Sequence, residues 1–474
     1  MIREFTQRKL FIAGMILLLM VLTGCNSGSS QGNAPLSTIT PLALTPSATN
    51  SVTPTPVSGS DWTTYHLNNS RTGYVANAPD PRKLTQAWSV QLDGAVYAEP
   101  LVIGNRVIVA TEGDSLYSLD RSTGRVQWRT NVGTPVPQSA LPCGDIFPLG
   151  ITGTPVYDPA TGLVFAVAEI EASAPAHILV GVDLSTGQVR VRRLADIPAM
   201  DPRAHQQRAA LALSNNMVYI AYGGLDGDCS DYIGTVVASR TDGTGPLYSF
   251  RVPTPREGGI WAPSGPAVDS AGNIYVAVGN GAVTSGNWDK SDSILRLSST
   301  LQYEDGFAPT QWQQDNAADA DLGSTGPILL PNNLIYSDGK SDHAYLLHAD
   351  ALGGVGGQIQ ELSVCPSYGG DAAIGSEVFV PCTDGVRQII IGSGPSMSVG
   401  WHTQSQITGS PIVGGNTVYS LDPNGGVLYA LNASNGAVRA TLSVGTTSRF
   451  ATPTLSGNQV FVGTLNGVVA ATLS

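Results

Sequence analysis

The chain has 474 residues, a formal net charge of -12 and only 13% charged residues, against the usual ~25%. Its 55 glycines and 31 prolines are typical of a β-rich protein with many tight turns. The acidic balance argues against a nucleic-acid partner, because phosphate binding needs clustered lysine and arginine side chains.

The N-terminus has the pattern of an export signal. Basic residues in MIREFTQRK precede a nearly all-apolar run, Leu10–Leu22, which is shorter than the roughly 20 residues of a membrane span but suits a secretory signal. The run ends in Leu22-Thr23-Gly24-Cys25, which resembles the lipobox of bacterial lipoproteins, where the cysteine is lipidated. We therefore expect a signal peptide over residues 1–24 and a lipid on Cys25. An ordinary secretory signal is the alternative.

Residues 25–60 are rich in serine, threonine, proline, glycine and asparagine. Such a segment cannot bury enough apolar surface to offset its ordering entropy, so we expect a disordered tether before a folded domain over residues 61–474. The predicted location is the bacterial cell envelope, with the lipid anchored to the outer face of the cytoplasmic membrane or in the outer membrane.

Four further cysteines, Cys143, Cys229, Cys365 and Cys382, predict two disulfides in an exported chain. Three connectivities are possible. The short separation of Cys365 and Cys382, across a predicted hairpin, favours that pair and leaves Cys143 with Cys229. Four free thiols are the alternative.

A repeat fills the rest of the chain. Each copy has a proline or alanine, an alternating apolar segment and a glycine-rich or acidic turn, at intervals of about 40 to 60 residues. The eight copies begin at Pro100, Pro155, Ala210, Pro266, Pro327, Ala372, Pro411 and Pro453. Four short strands per copy, without helical periodicity after the signal, predict an all-β, eight-bladed propeller; a solenoid is the competing repeat architecture.

The stretch LYSLDRSTGRVQW, Leu116–Trp128, recurs in part at Leu179–Gly187 and Leu428–Gly436. We interpret it as a turn, built on Asp120 and Gly124, that joins the third and fourth strands of a blade.

The last copy has room for only three strands. A strand over residues 84–90 carries Trp88 where the first copy carries Trp128. We therefore predict that this N-terminal strand completes the last blade, which removes the open sheet edges.

These repeats, with their turns and terminal tryptophans, resemble the pyrroloquinoline quinone (PQQ) repeat family, the quinoprotein alcohol dehydrogenase-like propellers. The resemblance covers residues 61–474. The family includes quinoprotein dehydrogenases, outer-membrane assembly lipoproteins of the BamB type, and exported proteins with no known activity, so the fold alone does not specify a function.

One region is similar to the enzymes. By position in the segment from Gly258 to Asn280, the resemblance implies that Trp261 is the floor under the quinone and that Asn280 is a ligand of its calcium. Asp319 or Asp321 falls near the place of the catalytic aspartate.

The sequence also departs from the enzymes. It has no adjacent Cys-Cys pair and no Cys-x-x-Cys-His haem motif, and no clean counterpart of the calcium-binding glutamate, since Asp226–Asp231 occupies the matching region and Glu169 lies one blade earlier.

Other patterns carry little chemistry. His343 and His348 are placed on opposite faces of a strand, and the Ser-x-x-Lys match that ends at Lys340 lacks its partner motifs. The acidic loops around Asp226 and Asp289–Asp292 are interpreted as solvated charge, with a calcium site as the alternative.

We therefore predict a non-catalytic binding or scaffolding module with a protein or cell-envelope polymer partner. The alternative is a PQQ- and calcium-dependent alcohol or sugar dehydrogenase. The long loops Asn131–Gly150 and Gly281–Ser291 are expected to crowd the rim that binds partners.

Overall fold

The computed structural model describes residues 61–474; the predicted signal peptide, Cys25 and the tether lie outside the described residues. The strands form eight sheets, one for each blade, which confirms the predicted eight-bladed, all-β propeller. The main strands of each blade pair antiparallel, and two short added strands pair in parallel. The first of the four main strands of each blade lies towards the centre of the propeller, and the fourth lies towards the outside.

Two strands, β1 (Tyr74–Val75) and β2 (Leu84–Gln91), precede the first complete blade. Blade 1 contains β3 (Leu101–Ile103), β4 (Arg106–Thr111), β5 (Ser115–Asp120) and β6 (Val126–Asn131). Blade 2 contains β7 (Val156–Asp158), β8 (Leu163–Ile170), β9 (Ala176–Asp183) and β10 (Val189–Leu194). Blade 3 contains β11 (His205–Gln206), β12 (Ala212–Ser214), β13 (Met217–Gly224), β14 (Thr235–Arg240) and β15 (Tyr248–Arg251). Blade 4 contains β16 (Ala267–Val268), β17 (Ile274–Val278), β18 (Ser293–Leu297) and β19 (Tyr303–Ala308).

Blade 5 contains β20 (Ile328–Leu330), β21 (Leu334–Asp338), β22 (His343–His348) and β24 (Gln360–Ser363), while β23 (Gly354–Val355) extends blade 4. Blade 6 contains β25 (Ala372–Ile374), β26 (Glu377–Cys382), β27 (Gly385–Gly392) and β28 (Ser396–His402). Blade 7 contains β29 (Ile412–Gly414), β30 (Thr417–Asp422), β31 (Val427–Asn432) and β32 (Val438–Ser443), with β1 at its inner edge. Blade 8 contains β33 (Thr454–Ser456), β34 (Gln459–Thr464) and β35 (Gly467–Leu473).

The ring is closed as predicted. Strand β2 pairs antiparallel with β35, from Leu84 opposite Leu473 to Gln91 opposite Gly467, and supplies the fourth strand of blade 8. Because β2 and β35 pair with each other, the sheet of blade 8 is complete and the first and last strands of the ring stabilise each other.

The repeated turn motif has a structural role. The Asp120 carboxylate accepts hydrogen bonds from the N–H groups of Ser122 and Thr123 at 3.1 and 3.0 Å, and Gly124 has a φ of +71°. An aspartate that binds the backbone two and three residues ahead fixes a tight turn, and glycine accepts the left-handed conformation without strain.

Tryptophans in the fourth strands join neighbouring blades. Trp128 of blade 1 donates a 2.9 Å hydrogen bond to the carbonyl of Leu184 in blade 2, and its ring covers Gly187, where an added Cβ would be 2.8 Å from the indole. The same contact recurs for Trp88 on Gly124 and for Trp401 on Gly436. The repeated sequence motif thus supplies the residues that pack one blade against the next.

The centre of the propeller is filled by the segment 61–75, which we call the channel plug. Trp62, Tyr65, His66 and Arg71 in it are fully or almost fully buried. The plug is hydrogen-bonded to all eight blades, in order through Val102, Tyr157, Leu213, Val268, Leu329, Ala373, Val413 and Thr452. These residues show no periodic pattern, so the plug could not be predicted from the sequence.

Arg71 is the most unusual residue of the plug, because this charged residue is only 1% exposed. It donates to the carbonyl oxygens of Pro266, Leu211 and Tyr65 and to the Thr64 hydroxyl at 2.7 to 3.1 Å. A buried charge is tolerated when its donors are satisfied in this way.

Both predicted disulfides are present, Cys143–Cys229 and Cys365–Cys382. The expected hairpin between Cys365 and Cys382 is wrong: Cys365 follows the last strand of blade 5 and Cys382 ends the second strand of blade 6, so the bond ties two blades together.

One α-helix, α1 (Trp312–Ala318), and three short 3-10 turns, Gln138–Ala140, Leu322–Ser324 and Pro331–Asn333, occur among the described residues. The helix interrupts the predicted all-strand pattern, and seven residues are too few to show helical periodicity. No helix within residues 61–474 is long and apolar enough to cross a membrane.

Candidate ligand-binding site at the channel mouth

One face of the propeller carries a polar cavity of about 350 Å³, which we call the mouth. Its walls are the loops that lead into the inner strands and the loops that follow the second strands. The side chains that line it are Asp145, Arg208, Leu225, Asp226, Asp228, Tyr232, Trp261, Asn280, Asp319, Asp321, Lys340, Tyr368, Arg449 and Phe450. All four predicted site residues, Trp261, Asn280, Asp319 and Asp321, are therefore brought together.

Trp261 lies in the loop between blades 3 and 4 and is half-buried. Two glycines make room for it. A Cβ on Gly223 would be 2.6 Å from the Cβ of Trp261, and one on Gly279 would be 3.2 Å from its Nε1 atom. The edge of Phe450 packs against the indole, with the ring centroids 6.2 Å apart.

Asp321 is the buried acid of the mouth, with 2% exposure. Its Oδ1 accepts the backbone N–H of Asn280 at 2.5 Å, and its Oδ2 lies 2.5 Å from the Lys340 Nζ. Burial raises the pKa of Asp321 above its usual value, against the opposing effect of the Lys340 charge. Close backbone approach at this point requires glycine, because a Cβ on Gly279 would be 2.2 Å from the Asp321 carboxylate.

Lys340 binds two carboxylates at once. Its Nζ lies 2.7 Å from Asp319 as well as 2.5 Å from Asp321, and 5.7 Å from the centre of the Trp261 ring. Burial alone would lower the pKa of Lys340, but the two acids outweigh it and raise the pKa. Asp319 follows the last residue of helix α1 and has a φ of 54°, which turns the chain towards Lys340.

The opposite wall combines guanidinium groups with aromatic rings. Arg208 and Arg449 lie 5.1 and 5.2 Å from the centre of Phe450, and Arg449 lies 4.3 Å from that of Tyr368. Arg208 is paired with Asp145 at 3.4 Å. Arg449 is exposed, and no carboxylate of the described residues forms an ion pair with it.

The sequence interpretation missed the residues of this wall and Lys340. A signal for Lys340 exists: Gly279-Asn280 and Gly339-Lys340 follow the second strands of successive blades at equivalent positions. Aligning the non-repeating residues after each second strand would have placed Lys340 beside Asn280. No comparable signal marks Phe450 or Arg449.

The acidic loops divide into two kinds. Asp226 and Asp228 are exposed and line the mouth. Asp292, in contrast, is fully buried, and its carboxylate accepts the N–H of Leu322 at 2.7 Å, so the interpretation of this loop as solvated charge is wrong for Asp292. Burial, with the negative charge of Asp315 nearby, raises the pKa of Asp292.

Three other residues considered in the sequence, Glu169, His343 and His348, lie outside the mouth. Glu169 is buried in blade 2, where it accepts the N–H of Gln207 at 2.7 Å and lies 3.5 Å from His177. His343 pairs with Glu361 on the outer part of blade 5, and His348 lies at the far end of the same strand.

The mouth does not fit a calcium-bound quinone. Calcium takes six to eight oxygen ligands. Asn280 offers one amide oxygen, while both oxygens of Asp321 are already engaged, one by the Asn280 N–H and one by Lys340. Within residues 61–474 no three or more His, Cys, Asp or Glu side chains are grouped so that they could hold a metal ion. Trp261 does offer an aromatic face, as the resemblance implies.

Comparisons with known proteins support the predicted resemblance. Residues 78–225 match the family model described as outer membrane protein assembly factor BamB, a PQQ-repeat family. No curated protein sequence matches the chain. The chain therefore resembles the PQQ-repeat propellers, as its repeats predicted.

Solved structures share the fold at low identity. A quinohemoprotein alcohol dehydrogenase from Pseudomonas putida is 14% identical, with a TM-score of 0.66, over 88% of this chain and 80% of that one. A europium-containing methanol dehydrogenase is 14% identical, with a TM-score of 0.67, over 88% and 98%. BamB from Moraxella catarrhalis is 14% identical, with a TM-score of 0.58, over 82% and 100%. At this identity the likeness extends to the fold, which serves both enzymes and an assembly factor.

Proposed function

We propose that the protein is a lipid-anchored, non-catalytic binding or scaffolding module of the cell envelope, and that its mouth receives a protein or polymer partner. The observation that carries this proposal is the double ion pair of Lys340. Its ammonium forms ion pairs with the carboxylates of both Asp319 and Asp321. The alternative function would need these carboxylates to be free, as a general base and as a metal ligand. In the mouth, these acids are therefore paired with a lysine of the same protein.

The opposite wall has the chemistry of a contact surface. Tryptophan, tyrosine and arginine are enriched at the centres of protein interfaces, because they combine a large apolar area with directed hydrogen bonds. Trp261, Tyr368 and Phe450 converge here with Arg449, whose guanidinium stacks on an aromatic ring and has no carboxylate partner among the described residues. An acidic group of a partner could pair with Arg449 without breaking an existing ion pair.

The described chain begins on the side of the propeller away from the mouth. Asp61 accepts the N–H of Gly104, in the turn between β3 and β4. The mouth instead lies at the loops that follow β13, β17 and β21, which are at the other ends of the strands. Asp61, the first described residue, therefore lies at the face opposite the mouth.

A photo-reactive amino acid tests the binding function directly. We would place it at Tyr368 in the mouth and, as a control, at Asn105, in the turn between β3 and β4 on the opposite face. Cross-linking in the intact envelope should give a defined adduct at Tyr368 and not at Asn105, and Arg449→Glu should remove it. Equal labelling at both positions, or an adduct that Arg449→Glu leaves unchanged, would contradict a binding site at the mouth.

The second candidate is the PQQ- and calcium-dependent dehydrogenase, which is favoured by the presence of Trp261, Asn280 and Asp321 around one cavity. The test is to add PQQ with and without Ca²⁺ to residues 61–474 and to follow cofactor absorbance and dye-linked oxidation of alcohols and sugars. We expect neither tight uptake nor turnover. Turnover that is lost in Trp261→Ala but kept in Trp288→Ala, a tryptophan outside the mouth, would replace our proposal with the enzyme.

The anchor is tested separately. Labelling cells with a fatty-acid analogue should modify the protein, and Cys25→Ser should abolish both the label and membrane association. A Cys25→Ser variant that is still labelled would contradict lipidation at this position.

A further inference from the structure

The two disulfides differ in exposure and in what they join. Cys365 and Cys382 are 3% and 0% exposed and are packed within the apolar core between blades 5 and 6. Cys229 is exposed and Cys143 is half-buried, and they connect two loops that are 86 residues apart in sequence. We call the second bond the rim disulfide, because both of its loops line the mouth.

The first of the two loops contains Cys143 and covers residues 137–148. Apart from the rim disulfide, few contacts hold this loop to the rest of the protein. Between the backbone pair of Val136 and Leu149, the described backbone hydrogen bonds are local turns, such as that from Ala140 to Pro137. The remaining contacts are the 3.4 Å pair of Asp145 with Arg208 and a small apolar cluster. A segment with few backbone bonds and little buried apolar area opens at low free energy.

The second loop shares the apolar cluster of the first loop. Its Leu225 inserts into the apolar cluster of the first loop, beside Ile146. Beyond Leu225, the exposed tip is tied by a turn from Asp228 to Leu225 and by the Tyr232 hydroxyl, which donates to Asp228 at 2.7 Å. Arg256 adds surface contacts, since its guanidinium donates to the Asp228 carbonyl and lies 3.5 Å from the Asp231 carboxylate. The rim disulfide is the covalent bond that keeps these two loops together across blade 2.

We propose that the rim disulfide is a site of thiol–disulfide exchange that controls the shape of the mouth. A thiolate of a dithiol reductant attacks the Sγ of the exposed Cys229, forms a mixed disulfide and releases the Cys143 thiolate. The second thiol of the reductant then attacks the mixed disulfide and releases Cys229. Two electrons and two protons pass to the cysteines, and the dithiol leaves as a disulfide.

Reduction would free the walls that carry Asp145, Asp226 and Asp228, while the blades stay intact. The buried Cys365–Cys382 bond is protected from the same reductant, because attack requires access to a sulfur atom. The effect on partner binding rests on the proposed function. The exchange reaction and the loosening of the loops do not.

The experiment uses the folded protein and dithiothreitol at graded concentrations without denaturant. Alkylation and peptide mass spectrometry should show Cys143 and Cys229 modified at least about tenfold faster than Cys365 and Cys382, as expected when one bond is accessible and the other needs core opening. Hydrogen exchange should then accelerate in residues 137–148 and 224–232 and stay unchanged in the inner strands. The Cys143→Ser/Cys229→Ser variant should show the faster exchange without reductant and no further response to it.

Two results would overturn the proposal: equal rates of reduction for both disulfides, or selective reduction that leaves exchange in both loops unchanged. Cross-linking from Tyr368, before and after reduction, separates this proposal from the binding function. Loops that loosen in a protein that gives no adduct in either state would refute the binding function and leave the exchange site standing.

Discussion

The seal between blades 1 and 2 makes a quantitative prediction through Gly187. This glycine has a φ of +73°, and a Cβ added to it would lie 2.8 Å from the ring of Trp128. Gly162 in the same blade has a φ of +72° and no atom within 4 Å of an added Cβ. The two variants Gly187→Ala and Gly162→Ala therefore have the same backbone strain. They differ in whether the added Cβ meets the ring of Trp128.

The left-handed conformation costs an alanine roughly 1–2 kcal/mol, and this cost applies to both variants. The gain from a less flexible unfolded chain also cancels between them. Overpacking against a fixed neighbour adds about 1–3 kcal/mol. Trp128 cannot move away freely, because its Nε1 donates a 2.9 Å hydrogen bond to Leu184. We expect Gly187→Ala to be less stable than Gly162→Ala by that additional cost.

The assay is equilibrium unfolding in urea, followed by circular dichroism, on residues 61–474. Trp128→Ala serves as the background for a double-mutant cycle, since removal of the ring should remove the extra cost of Gly187→Ala. Equal free energies of unfolding for the two glycine variants, or a difference that survives in Trp128→Ala, would refute the packing explanation of the repeated motif.

Two further predictions concern buried charges. Arg71→Met should lower the free energy of unfolding by roughly 3–5 kcal/mol, because it leaves buried carbonyls without donors. The control Arg190→Met, on the exposed surface, should change it little. Equal effects of the two variants in urea unfolding would contradict the role of the plug. Burial alone would lower the pKa of His177, but Glu169 and Asp196 outweigh it and raise the pKa to about 10 from 6.5. The stabilisation by the His177 charge should therefore be complete below about pH 6.5 and be lost as the pH rises through 10. The stability difference between the wild type and His177→Gln should shrink over that range, and a difference that grows instead would contradict a protonated His177.

The predictability of the fold follows from its repetition. The period-two pattern, the Asp120 and Gly124 turn and the terminal Trp128 are local features that recur, so they identify eight blades and the missing strand at Trp88 without any long-range information. The channel plug could not be predicted in this way. Its residues lie between 61 and 75 in sequence but bind eight blades spread over the whole chain, and that arrangement leaves no local period.

The site was predictable only in part, for the same reason. Trp261, Asn280, Asp319 and Asp321 were found through resemblance to a family, and the propeller places all four at the mouth. What that resemblance could not supply is the charge state of the site, because Lys340 comes from the next blade and its contacts depend on helix α1 and on the bend at Asp319.

Sequence by itself determined the architecture, because strand alternation, turn chemistry and the cross-blade tryptophan act over short distances and repeat. Only the tertiary structure decided what the non-repeating residues do. Closing the ring brings loops that belong to or lead into blades 2 to 6 and blade 8 to one cavity, where Lys340 pairs with two acids and Arg449 is left with no carboxylate of the described residues as its partner. Side-chain charge acts between neighbours in space, and in this protein those neighbours are set by closure of the ring.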